Sequence, residues 1–209
     1  MKIIDNLKWR YATKKFNPEL RISNENMELL KEAVNLTASS YGLQPYKVLI
    51  IENADIREKL KAAAWGQNQI TDSSALFLFC NFTEVGAGKV DSYLKLRADI
   101  NNLNVADSKD YGDMMKSMLA SLTPEQISVW TSKQTYIALG TLLAASSELK
   151  IDSCPMEGFD KDQFDKILGL KERGLTASVL AAVGYRDDGD PFLAFKKVRK
   201  PLNEMFETI

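Results

Sequence analysis

Three stretches of the chain are apolar almost without interruption and have the length of a strand. Tyr46 to Glu52 (YKVLIIE), Ala75 to Phe82 (ALFLFCNF) and Thr176 to Tyr185 (TASVLAAVGY) lack the strict alternation of a strand with one wet face. They read as strands covered on both sides. Elsewhere the apolar positions fall at helical spacing. Met27, Leu30 and Val34 follow Ser23, which opens a helix. Asn53 caps a helix from Ala54 to about Ala64, and a short helix is expected from Asp160 to Leu168. The sharpest local signal is Thr123-Pro124-Glu125-Gln126, a capping box with proline at the first helical position. It should launch a helix to about Leu149, apolar through Ile127, Trp130, Tyr136, Ile137, Leu139, Leu142 and Leu143 with Gly140 inside. So much apolar surface predicts a helix buried on most sides.

Other segments break these patterns. Val85 to Ser121 is polar and charged with helical propensity, and reads as an excursion packed against something else. Asp152 to Gly158 reads as a loop, and the tail from Pro191 onward has two prolines and few core residues. Three or four strands among more than five helices, without strict βαβ alternation, predict an α+β fold. One domain over residues 1–209 is expected, with the helical excursion at about 85–121.

Composition narrows the function. A formal charge of −1 gives no basic field for nucleic acid, and no apolar run approaches the roughly 20 residues that span a bilayer. The opening residues Met1 to Asn6 lack the pattern of a signal peptide, so a cytoplasmic location is expected. Cys80 and Cys154 have no metal-ligand spacing; both read as small buried fillers. The chain has no histidine, which excludes a Ser-His-Asp triad, a Cys-His pair and an ordinary zinc site. Enzymatic chemistry would then come from carboxylates, lysines or an external cofactor.

Three constellations are candidates for binding. Arg10 and Lys14, at the end of the first helical segment, and Lys197 and Arg199, two apart in an extended tail, could together surround a phosphate. Each pair taken alone reads as solvated surface charge. The turn Ala38 to Pro45, with Ser39 and Ser40, offers hydroxyls and free N–H groups, or is an ordinary helix-to-strand connection. Pro155-Met156-Glu157-Gly158 would let backbone approach a flat ligand, or is a simple turn between helices.

These segments recur in order in a known family. Arg10-Tyr11-Ala12-Thr13-Lys14-Lys15-Phe16, Ser39-Ser40 with Gln44-Pro45-Tyr46, and Trp130 with Lys133-Gln134 come first. Pro155-Met156-Glu157-Gly158-Phe159, Val183-Gly184-Tyr185-Arg186 and Lys197-Val198-Arg199 follow. In this the chain resembles the nitroreductase family, in its branch of oxygen-insensitive NAD(P)H nitroreductases and dihydropteridine reductases. The resemblance implies a nitroreductase-like fold, a mixed or antiparallel central sheet surrounded by helices, in an intertwined homodimer with FMN at the interface. It makes Arg10, Lys14, Lys197 and Arg199 the phosphate and ribityl ligands, with Tyr11 and Ala12 lining the pocket through their backbone. Ser39 and Ser40 would reach the flavin from the other subunit. Pro155, Met156, Glu157 and Gly158 would lie against the isoalloxazine ring, with a backbone N–H toward its reactive N5. Gln67, Gln69 and Gln134 are candidates for the pyrimidine edge.

The chain departs from the family pattern at Tyr11 and Ala12, where many relatives carry histidine and serine, and at Gly42, where they carry asparagine. The flavin-edge segment Trp65-Gly66-Gln67-Asn68-Gln69 is also shorter. The implied activity is two-electron, ping-pong transfer from NAD(P)H to a small-molecule acceptor, a nitroaromatic or quinone, with no side chain acting as acid or base. A dihydropteridine or flavin reductase of the same family, a non-catalytic FMN-binding protein and a helical interaction module are the other readings.

Overall fold

The uninterrupted apolar runs are explained by a sheet with helices on both faces. The computed structural model describes residues 1–209 and holds four strands, β1 (Tyr46–Ile51), β2 (Ala75–Phe82), β3 (Asp152–Met156) and β4 (Leu175–Gly184). They form one sheet in the order β1-β2-β4-β3, antiparallel at every pairing. Along β2, Leu76, Leu78 and Cys80 point to one face and Ala75, Phe77 and Phe79 to the other, the two-residue period of a strand. The first face is covered by helices α3 (Ala54–Ala62), α4 (Gln69–Asp72) and α8 (Lys161–Leu168), which contribute Leu60, Ile70 and Phe164. The second is covered by α2 (Asn24–Asn35) and α7 (Pro124–Glu148), through Leu30, Val34, Ala138 and Leu142. Each fully buried Leu or Phe contributes about 1.5–3 kcal/mol by leaving water.

The expected caps are present. Ser23 accepts from the N–H of Asn26, Asn53 from that of Ile56, and Thr123 and Gln126 close the reciprocal capping box that starts α7. The remaining helices are α1 (Lys2–Trp9), α5 (Ala87–Asn101), α6 (Lys109–Ala120) and α9 (Leu202–Met205). α5 and α6 pack on each other and on the start of α7, in a small apolar cluster of Val90, Leu94, Met115, Leu119 and Ile127. No helix is long and apolar enough to cross a membrane.

Two expectations are corrected. Asp152–Met156 is not a loop but the edge strand β3, paired with β4 from Asp152↔Gly184 to Met156↔Leu180. Its polar start and central Pro155 mask the pattern, and proline is tolerated because β3 lies at the sheet edge. The long helix is buried along one side only. Val129, Tyr136 and Ile137 of α7 are 53%, 43% and 49% exposed, so this stripe faces outward from the single chain.

Candidate functional site

The N-terminal cations are delivered by extended backbone, not by a helix. α1 ends at Trp9, and Arg10 already has strand-like dihedrals. Thereafter the chain runs beside the sheet, with isolated bridges Ala12↔Ser153 and Phe16↔Arg186. In such a segment residues two apart share a side. Arg10, Ala12 and Lys14 therefore face one way, while Thr13 turns inward and donates to Asp152 Oδ1 at 3.3 Å.

The C-terminal tail returns across this segment. Together they form a groove of about 640 Å³, lined by Arg10, Tyr11, Ala12, Lys14, Pro155, Lys197 and Arg199 among others. Aromatic and apolar walls come from Trp9, Phe192 and Phe195. Seven residues expected at one site from separate parts of the chain thus converge.

The electrostatics of the groove are unbalanced. None of Arg10, Lys14, Lys197 and Arg199 has a carboxylate within salt-bridge distance. Burial and the nearby Arg199 charge hold the Arg10 guanidinium below its usual pKa. Burial, then Arg10 and Arg199, do the same to Lys197, whose ammonium donates to the carbonyls of Leu7 and Arg10. The Arg10 Nε is buried with no hydrogen-bond partner. A buried donor left unmet beside converging like charges fits a dianionic phosphate. Lys14 Nζ also lies 3.7 Å from the buried Cys154 Sγ, whose pKa is raised by burial and drawn back by Lys14.

Two acidic residues that the sequence reading missed hold this groove in shape. Asp190, 3% exposed, accepts from the Tyr11 hydroxyl at 3.0 Å and from the N–H groups of Lys14, Lys15 and Phe192 at 2.8, 3.2 and 2.9 Å. Burial works against its charge, yet those four bonds keep its pKa below the usual value. Asp152 accepts from Arg186 N and Nε and pairs with that guanidinium, which stacks on the Trp9 and Tyr11 rings at 4.3 and 4.8 Å. Arg186 stood in the family motif, but its partner Asp152 carried no sequence signal.

The turn after β3 is fixed separately. Glu157 accepts from the Tyr136 hydroxyl at 2.7 Å, and burial followed by this bond raises the Tyr136 pKa to about 12. Gly158 lies beside Gln67 and Trp65; a Cβ there would sit 3.4 Å from each. Both N–H groups of Gln67 are engaged, on the carbonyls of Ala64 and Gly158. Gln69 donates to Gln67 Oε1 at 3.2 Å. Ser39 and Ser40 do not line the groove. Ser39 Oγ accepts from Gln44 N, and Ser40 N donates to Gln134 Oε1 at 2.8 Å. Their turn holds Tyr41 and Gln44 at φ of 56° and 41°, the left-handed region that side chains rarely adopt.

A sequence model described as the nitroreductase family matches residues 7–185. The chain belongs to the nitroreductase family. The Bacillus subtilis (strain 168) protein YfkO, provisionally named an NAD(P)H nitroreductase, is 34% identical over 197 residues, 88% of each chain. A similarly named Staphylococcus haemolyticus protein, SH0546, is 32% identical over 215 residues, covering 99% of this chain and 97% of its own. Among solved structures, YdfN of Bacillus subtilis superposes with a TM-score of 0.89 at 21% identity, over 100% of this chain and 99% of its own. An Exiguobacterium sibiricum relative solved in complex with FMN superposes at 0.84 and 19% identity, over 99% and 97% of the two chains. These likenesses place the fold among nitroreductases and the chain among oxidoreductases.

Proposed function

We propose that this nitroreductase-family chain is an FMN-dependent oxidoreductase that takes two electrons from NAD(P)H and delivers them to a nitroaromatic or quinone. The observation that carries the reading is the convergence of Arg10, Lys14, Lys197 and Arg199 on one groove without a counter-charge, with the buried Arg10 Nε unmet. The FMN held by the Exiguobacterium sibiricum relative and the NAD(P)H in the names of the sequence relatives support the choice of cofactors.

When bound, FMN supplies the two-electron chemistry itself. The protein's part is to hold and orient. Arg10 and Arg199 offer fork-shaped donors to the phosphate, and Lys14 and Lys197 offer point charges. Tyr11 and Ala12 line the ribityl side through their backbone. Pro155, Met156, Glu157 and Gly158 meet the ring, with the Gly158 N–H as a preset donor in the manner of an oxyanion hole. Gln69 serves the pyrimidine edge, and Gln134 holds the Ser40 backbone. Protons come from solvent, in keeping with a chain that has no histidine.

The working unit is an intertwined homodimer. The outward stripe Val129, Tyr136 and Ile137 of α7, Ile3, Ile4 and Leu7 of α1, and Phe195, Val198, Leu202 and Phe206 of the tail are all exposed in the single chain. Apolar surface on this scale is covered in obligate interfaces, above about 2,000 Å². A second copy would bring Ser39 and Ser40 to the flavin bound by the first.

Steady-state kinetics test the reading. Donor and acceptor that occupy one site in turn give parallel double-reciprocal lines across acceptor concentrations. Intersecting lines would require a ternary complex and a separate acceptor site. Absence of NAD(P)H oxidation with nitroaromatics and quinones, in a protein that binds FMN, would reduce it to a flavin-binding protein. A screen including pterins and free flavin separates the reductase alternatives.

A further inference from the structure

The turn after β3 is held by more contacts than a connection to α8 requires. Glu157 O accepts from Phe159 N at 3.0 Å, which fixes the peptide between Glu157 and Gly158. The chain has no cis peptide bonds, so in that unit the N–H points opposite to the C=O. The Gly158 N–H is thereby turned away from Phe159, whose side chain is buried, and it has no hydrogen-bond partner within the chain. The next peptide is fixed from outside the turn, because Gln67 Nε2 donates to Gly158 O at 2.7 Å.

Gln67 is itself anchored. Its second N–H goes to Ala64 O at 3.1 Å, and its Oε1 accepts from Gln69 Nε2 at 3.2 Å. An amide side chain has two donor hydrogens, so Gln67 has none to spare for a ligand. The segment that delivers it is unusual: Trp65 has φ of 54° and is 71% exposed, and Gly66 follows at φ of 74°. A bulky aromatic residue in the left-handed region is an outlier held by its surroundings. This bend brings Gln67 and Trp65 together against Gly158.

We propose that Gln67 is a positioning residue: by gripping Gly158 O and receiving Gln69, it presets the Gly158 N–H toward the reacting edge of the flavin. The inference rests on the FMN reading above and adds a role to a residue otherwise placed at the pyrimidine edge. One amide then sets both the donor at the ring and the orientation of Gln69.

The test uses the full chain with Gln67→Ala and Gln67→Glu. The glutamate keeps the volume but presents carboxylate oxygens to the Ala64 and Gly158 carbonyls, so it should be the worse of the two. In apoprotein, amide exchange at Phe159, whose N–H closes the turn, should quicken about tenfold, the loss of about one hydrogen bond. FMN should still bind, because the phosphate groove is untouched, with a loss of about tenfold at most from the freed Gln69 and the unset Gly158 N–H. The limiting rate of flavin reduction at saturating NAD(P)H should fall about tenfold. Unchanged Phe159 exchange in both variants would overturn the clamp. So would unchanged flavin reduction, which would make Gln67 a packing residue only. Failure of wild type itself to bind FMN is a different result; it would overturn the cofactor reading and the positioning role with it.

Discussion

Asp190→Asn is the sharpest perturbation of the phosphate groove, because it changes one buried atom and leaves every cation in place. The Asp190 carboxylate gathers four donors: the Tyr11 hydroxyl, Lys14 N and Lys15 N on one oxygen, and Phe192 N on the other. An asparagine can keep an acceptor on one side only. With its oxygen toward Phe192, its NH₂ opposes the Lys14 and Lys15 N–H groups, though the Tyr11 hydroxyl can turn to accept; flipped, it opposes the Phe192 N–H and still loses the charge. Hydrogen bonds to a charged group are worth about 1.5–3 kcal/mol each and are not additive, so a total near 3 kcal/mol is expected. That loosens the tail from the Tyr11–Lys15 segment and separates Arg199 from Arg10. FMN affinity should fall roughly a hundredfold. The melting temperature of apoprotein should drop by about 6–12 °C, at roughly 2–4 °C per kcal/mol for a chain of this size. FMN titration by fluorescence and thermal unfolding read the two effects separately. Tyr11→Phe removes a single one of the four bonds and should cost about 1.5 kcal/mol, the low end for a bond to a charged group. Wild-type affinity and melting temperature in Asp190→Asn would refute the idea that this carboxylate holds the site.

Other outcomes follow from the same geometry. Arg199→Ala should weaken FMN binding ten- to a hundredfold without lowering the melting temperature of apoprotein, since it relieves repulsion on Arg10 and Lys197; a drop in stability with unchanged FMN affinity would reverse the assignment. Stability should fade at both pH extremes. The depressed pKa of Asp190 gives stabilisation present above the unfolded carboxylate value, near 3.9, and lost as acid titrates the folded group. Tyr11, raised to about 12 by burial and by Asp190, contributes below the unfolded value near 10 and loses this as pH climbs through 12. Unfolding titrations of Asp190→Asn and Tyr11→Phe should each lack one of these edges. Ile137→Asp, on the exposed stripe of α7, should give a monomer in analytical ultracentrifugation with little bound FMN; a dimer with full FMN would place the interface elsewhere.

The strands, the caps and the long helix were legible because their signals are local: consecutive apolar residues, and Thr123 with Gln126 three positions on. β3 was not, since Asp152, Ser153 and Pro155 look like a turn until β4 is laid beside them. The cations were found by family motif, but the extended backbone that aligns Arg10 with Lys14 was hidden, because a spacing of four suits a helix and a strand alike. Asp190 does sit at a local cap signal, before Pro191 and bonded to Phe192 N. But its bonds to Tyr11, Lys14 and Lys15 span 175 to 179 residues, and Asp152 reaches 34 residues on to Arg186; those roles have no local mark. The bonds of Gln67 to Gly158 and of Ser40 to Gln134 are likewise products of the fold.

The most direct measurement of the central claim is the flavin content of the purified protein. The account predicts a yellow preparation that releases about one FMN per chain on denaturation, and apoprotein that takes FMN back to the same ratio. A colourless protein that neither carries FMN nor binds it when added would contradict it.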